Sequence, residues 1–172
     1  MNKENNQMCK RLLILGAGQY GRVLKELADA TGDYSHIAFL DDSPSQDVIG
    51  KLNDYRLFAD KFDEAIVAIG NAEIRLSWIE KLKELFTIPV IVHPSAYISP
   101  SAIISEGSII EPLAVVHTSV NVGRGCIISA GAIINHNSIL SDGVHCDCGC
   151  VIPARSTIES KRKVVQGEIA LR

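Results

Sequence analysis

A small α/β unit on a parallel sheet, followed by a triangular parallel β-helix, is the fold class this sequence predicts. Three observations predict it. The first is a period of six. Every sixth residue from Ile98 reads Ile104, Ile110, Val116, Val122, Ile128, Ile134, Leu140, Cys146, Ile152, Ile158, Val164, without a register slip. Two residues before each stands a mostly small side chain, such as Ala96, Ala102, Ser108, Ala114, Cys126, Ala132, Ser138, Cys150 and Ser156. A strand alternates with period two and a helix with period 3.6, so neither alone gives six. A short strand plus a turn does, three to a coil of roughly 18 residues, which makes about four coils. Stacking joins their aliphatic rows into one core that no single coil can form. The second observation is the alternation of short apolar runs with helical spacing before residue 93. The third is a glycine triplet placed between the first such run and the first helix.

In chain order, residues 1–10 are polar and read as a disordered lead-in. Arg11–Leu15 is a short apolar run expected as a buried strand, and Val23 to Ala30 has helical spacing that stops near Gly32. His36–Leu40 is a second strand ending on Asp41 and Asp42. Residues 43–60 carry Pro44, Gly50 and scattered polar residues and are expected as loop. Glu64–Ile69 is a third strand closed by Gly70 and Asn71. Glu73 to Phe86 is an amphipathic helix with Ile74, Trp78, Ile79, Leu82, Leu85 and Phe86 on its apolar face. Ile88–Val92 is a fourth strand, placed at the sheet edge by Pro89. The alternation is that of a parallel α/β sheet. The division expected is residues 11–92 for this unit and 93–172 for the β-helix, rigidly joined because His93 and Pro94 lead straight into the hexads.

Composition bounds the function. The 172 residues carry 17 Lys and Arg against 20 Asp and Glu, a net charge of -3, which argues against a general nucleic-acid or membrane-surface binder. No apolar run approaches a transmembrane span and no signal peptide is visible, so a cytoplasmic protein is expected, with its five cysteines as reduced thiols.

Gly16, Gly18 and Gly21 match G-x-G-x-x-G between a strand and a helix, where backbone N–H groups and a helix N-terminus approach a phosphate. Asp41 lies twenty residues after Gly21, near where an acidic residue meets a ribose hydroxyl, although Asp41 and Asp42 also suit the turn before Ser43 and Pro44. A full dinucleotide site uses two mononucleotide halves. The α/β stretch here is short, which favours a single nucleotide diphosphate.

The series Gly-Ala-Gly-Gln-Tyr-Gly-Arg at residues 16–22, Phe39-Leu40-Asp41-Asp42, Ala68-Ile69-Gly70-Asn71 with Arg75, and His93-Pro94-Ser95-Ala96 resembles the bacterial nucleotide-sugar acetyltransferase family. That family includes enzymes that N-acetylate UDP-4-amino-sugars and sialic acid O-acetyltransferases. The resemblance implies a Rossmann-like N-terminal domain, a left-handed β-helix and a homotrimer. It implies acetyl-CoA as co-substrate and a nucleotide-sugar acceptor bound by Gly16, Gly18, Gly21, Arg22, Asp41 and Asp42, with Gly70 and Asn71 nearby. Tyr20 stands where the family often has His, and Arg22 where it often has Lys.

The resemblance also implies catalytic roles for His136 as general base and for His145, nine residues on, as a contact of the acetyl thioester. Acyl transfer needs a base with a pKa near 7, and histidine is the usual one. Asn135 and Asn137 flank His136 where the family usually has carboxylates, and Ser129-Ala130 replaces a frequent Asn-Thr. The hexads end at Val164, leaving about one coil beyond His145. On that reading the coenzyme A groove is shortened, and a non-catalytic nucleotide-sugar-binding trimer is the alternative. A zinc site of the trimeric β-helix carbonic anhydrase type would use His117, His136 and His145, but their spacings do not resemble that family's pattern, and no metal is expected. Cys146 and Cys150 fall on the inward and small hexad positions and read as apolar filler, and Lys161-Arg162-Lys163 as a solvated turn.

Overall fold

The computed structural model describes residues 9–170. Four parallel strands form the N-terminal sheet in the order β3-β2-β1-β4, namely β1 (Lys10–Leu15), β2 (Tyr34–Leu40), β3 (Val48–Gly50) and β4 (Glu64–Val67). It is a Rossmann-like arrangement. Leu12 to Leu15 are fully buried because β1 is central and covered on both faces, which is why its sequence runs apolar instead of alternating. Helix α1 (Gln19–Thr31) stops at Gly32, whose φ of 74 admits the left-handed end conformation. Helix α2 (Ala72–Leu82) starts on Asn71, whose side chain accepts the Ile74 N–H at 3.0 Å.

Several details differ from the sequence expectations. Residues 1–8 of the expected lead-in lie outside the described residues, and Lys10 already belongs to β1. The stretch 43–60 is not all loop: β3 pairs with Phe39 and Leu40 of β2, and Leu52–Phe58 is a 3-10 helix. Its Tyr55 buries in the core beside Trp78. Tertiary pairing wins there over a polar local sequence. The run Ile88–Val92 does not complete the α/β sheet. Thr87 makes one isolated bridge to Glu64, and Ile91–Val92 then pairs with Ile109–Ile110 as the first strand of the β-helix. Along α2 and beyond, Trp78, Ile79, Leu82 and Phe86 are buried, whereas Ile74 and Leu85 are exposed.

The C-terminal half is a left-handed parallel β-helix of thirteen two-residue strands among the described residues, stacked into three flat sheets. Pairing always joins residues 18 apart, as in Ile91↔Ile109↔Ile127↔His145↔Lys163 on the first sheet. The hexad residues from Ile110 to Val164 point inward and are essentially fully buried, with Ala114, Ala132, Ser138 and Cys150 closing the corners between them.

The first sheet also docks the α/β unit. Its outward residues Ile91, Ile109 and Ile127 are 2%, 0% and 1% exposed, packed with Leu24, Leu27 and Ala28 of α1 in one cluster. Burying each contributes about 1.5–3 kcal/mol. Arg75 of α2 joins the halves from the side. It is fully buried, and donates from Nε to Gly125 O at 2.7 Å, from Nη2 to Gly143 O at 3.0 Å, and from Nη1 to Ile69 O and Gly70 O at 2.7 and 2.9 Å. Arg124 adds an ion pair with Asp142 at 2.8 Å and another with Glu80 of α2. No helix among the described residues is long and apolar enough to cross a membrane.

Candidate functional site

The strand order turns back between β1 and β4, so their C-terminal ends open a crevice where α/β sheets usually bind ligands. Gly16 leaves β1 with φ 105 and donates its N–H to Leu40 O at 2.8 Å. A Cβ on Gly21 would lie 2.1 Å from Gly16 O, so only glycine lets α1 pack this close to the loop. Gly18 opens α1 in extended backbone, with no side-chain cap and no acidic residue in the first turn. That helix end therefore directs backbone N–H groups and partial positive charge into the crevice, with no acidic side chain of its own first turn to offset it. Gly70 and Asn71 reach the same crevice from the end of β4. Asn71 is committed there as the α2 cap, and the Gly70 carbonyl to Arg75.

Asp41 ties the glycine loop to the end of β2. Its Oδ2 accepts the Ala17 N–H at 2.6 Å and its Oδ1 accepts the Ser43 N–H at 2.8 Å. The turn it stabilises separates two hollows. One of about 210 Å³ is lined by Ala17, Gly18, Asp41 and residues 43–45, and the other of about 390 Å³ by Asp42, Pro44 and residues 48–51. Asp42 accepts the Leu52 N–H at 3.3 Å. Arg22 pairs with Asp47 at 2.6 Å, donates to Ser45 of the smaller hollow at 2.8 Å, and lies 4.6 Å from the Phe39 ring centroid. The glycines, Asp41, Gly70 and Asn71 thus share one locality, while Arg22 and Asp42 are held along its β2–β3 rim.

His145 faces this locality from the β-helix, one coil beyond Ile127 in the docked column. Its Nε2 lies 3.3 Å from Ser129 Oγ. Burial lowers its pKa, Lys163 adds to that, and Asp147 opposes it. Asp147 itself pairs with Lys163 at 2.9 Å and is held below the usual carboxylate range by that contact. Beside it sits Glu111, 7% exposed, accepting the Ala130 N–H at 3.0 Å, its carboxyl pushed up by burial. Tyr20, from within the glycine motif, buries its hydroxyl against the Glu111 carboxyl, and burial, followed by the Glu111 charge, raises its pKa. Glu111 was not singled out in the sequence. Its signal is a lone carboxylate directly after the inward Ile110, at a corner where its coil neighbours carry Ser129 and Asp147.

His136 occupies a different edge of the prism, the corner after the second sheet strand Ile133–Ile134. Its Nδ1 lies 2.9 Å from Asn137 Oδ1. Its ring centroid is 6.5 Å from that of His117, which in turn is 6.4 Å from that of Tyr97. His136 and His145 share no hydrogen-bond partner, since nine residues are half a coil. One chain does not bring them together. Among the described residues of the single chain, no three His, Cys, Asp or Glu side chains are grouped to hold a metal ion. Cys126, Cys146 and Cys150 are buried free thiols of the core.

Residues 11–82 match the family described as PglD N-terminal domain. A UDP-N-acetylbacillosamine N-acetyltransferase of Bacillus subtilis (strain 168) is 33% identical over 114 residues, 59% of this chain. The match spans 51% of that curated relative, about half its length. The acetyltransferase domain of PglB from Neisseria gonorrhoeae FA1090, solved in complex with acetyl coenzyme A, superimposes with a TM-score of 0.80 at 34% identity, covering 92% of this chain and 83% of that one. A mutant of perosamine N-acetyltransferase from Caulobacter crescentus, in complex with CoA and GDP-perosamine, shares the fold at 23% identity and a TM-score of 0.56, over 92% of this chain and 90% of that one.

Proposed function

Because the chain belongs to the nucleotide-sugar acetyltransferase family, we propose that it transfers the acetyl group of acetyl-CoA to the amino group of a nucleotide-linked sugar. One observation carries the reading. The glycine-loop crevice opens on the same docked face from which His145 projects, so a nucleotide held there points its sugar at the β-helix. In this proposal Gly16, Gly18 and Gly21 let the diphosphate approach the start of α1, and Asp41 fixes the loop that receives it. Gly70 and Asn71 wall the crevice.

The chemistry needs a base for the amine proton and a group at the thioester. His136 takes the proton at Nε2 as the amine nitrogen attacks the carbonyl carbon. The C–S bond then breaks, and the coenzyme A thiolate leaves with the proton returned by the imidazolium. His145, neutral because burial lowers its pKa, contacts the acetyl oxygen through its ring. Since His136 stands at a corner of the prism and His145 on one of its faces, half a coil apart, a neighbouring copy supplies His136 to the face that carries His145. A homotrimer is the closed arrangement that does so three times.

The test is turnover of UDP- and GDP-linked 4-amino sugars with acetyl-CoA by the purified protein. His136→Ala is expected to lower kcat by about 10² or more. Turnover that is absent throughout the panel, or indifferent to His136, removes the mechanism. Calorimetric binding of a UDP-sugar with no binding of acetyl-CoA would instead identify a non-catalytic nucleotide-sugar binder, the reading that the uncharged neighbours Asn135 and Asn137 favour.

A further inference from the structure

A base histidine is useful only in one tautomer and one ring orientation. In this chain His136 has no carboxylate beside it in sequence, yet its ring is not loose. We propose that Asn137 is the positioning residue for His136, holding the imidazole through its carboxamide oxygen with Nε2 unprotonated and directed outward. The inference rests on the proposed role of His136 as the base. Asn137 Oδ1 lies 2.9 Å from Nδ1, and an oxygen there accepts only from a protonated Nδ1. A neutral imidazole has one N–H, so that bond assigns the lone pair to Nε2.

The backbone explains how adjacent residues make this contact. Asn137 sits at φ 60, a left-handed position that asparagine tolerates better than most residues, and its N–H donates to Thr118 O at 2.9 Å. The preceding coil therefore pins the turn, and the side chain folds back on the His136 ring. His117 closes the other side at 71° to the His136 ring, backed by Tyr97. The ring is thus bounded by an amide at one end and an aromatic edge on one face. The same amide carries no charge, so the imidazolium formed during transfer gains no ion pair from its partner.

Two substitutions that both tolerate a left-handed backbone isolate the side chain from the turn. Asn137→Gly removes the acceptor, and kcat is expected to fall at least tenfold with the KM for acetyl-CoA and for the nucleotide sugar unchanged. Asn137→Asp keeps the acceptor and adds a negative charge. It is expected to retain most of kcat while moving the acid limb of kcat/KM upward by about one pH unit. Ring 15N chemical shifts give a readout independent of turnover: His136 shows the Nδ1–H tautomer in the parent and a mixture in Asn137→Gly. Parental kcat and tautomer in Asn137→Gly, or an unmoved acid limb in Asn137→Asp, overturns the assignment. If His136→Ala retains full activity, the underlying reading fails instead, whatever Asn137 does.

Discussion

Arg75 offers the sharpest quantitative test of how the two halves are joined. Its four hydrogen bonds all end on backbone carbonyls, two at the end of β4 and two on β-helix turns, and its side chain is fully buried. At a net worth of about 1 kcal/mol each, these bonds total about 4 kcal/mol. Burial of an unpaired guanidinium opposes them, as the downward push on its pKa by desolvation shows. Arg75→Met keeps the length of the stem, deletes the bonds and removes the buried charge, so the net loss is expected near 2–3 kcal/mol. For a chain of this size each kcal/mol moves Tm by about 2–4 °C, which predicts a drop of about 4–12 °C by scanning calorimetry. Arg75→Lys should fall almost as far, because one ammonium cannot span carbonyls on both halves. A methionine variant melting within about 1 °C of the parent would refute the account, since the bonds would then add nothing beyond desolvation.

Other expectations follow from single contacts. In Gly21→Ala the new Cβ would meet Gly16 O at 2.1 Å, so stability should fall by about 1–3 kcal/mol and nucleotide-sugar binding should weaken in calorimetry. Gly18→Ala, with nothing within 4 Å of its Cβ, should leave Tm close to the parent's and report on binding alone. Burial raises the Glu111 carboxyl above its ordinary range. The unfolded chain therefore ionises first as pH rises, so folding stability falls through that window and the deficit persists above it. Glu111→Gln should match the parent in Tm at acid pH and exceed it at neutral pH. A difference independent of pH would count against that reading. Finally, a thiol reagent on the native protein should modify exposed Cys9 quickly and Cys148 slowly. Cys126, pushed up to about 11 by burial, should react with Cys146 and Cys150 only after denaturation.

The inward rows were legible because a period of six repeats until chance is excluded, and every hexad residue from Ile110 to Val164 is buried as that period requires. The glycine loop was legible for a similar reason: strand, glycines and helix occur in the order the physics needs. Ile91, Ile109 and Ile127 were not legible as a docked face. They stand at outward positions, and only the tertiary arrangement reveals what covers them. The same holds for β3, which exists through pairing with β2. Arg75 appeared in sequence as one residue of a resembling series, yet its partners lie 50 and 68 residues away, beyond any local pattern. His136 and His145 were legible as residues but not as a geometry. Only the assignment of strands to sheets shows that one stands at a corner and the other on a face.

The docked column makes the β-helix a ruler. Each coil advances by one strand spacing, about 4.8 Å, and the rungs Ile91, Ile109, Ile127 and His145 mark successive divisions beside the α/β unit. The gap from glycine loop to histidine is therefore set by counting coils, not by tuning a loop. Removing one 18-residue coil below His145 would bring it about 4.8 Å nearer the loop without altering any packing rule of the stack. A scaffold graduated in this way can be refitted to acceptors of different length in whole steps, and intermediate lengths are closed to it.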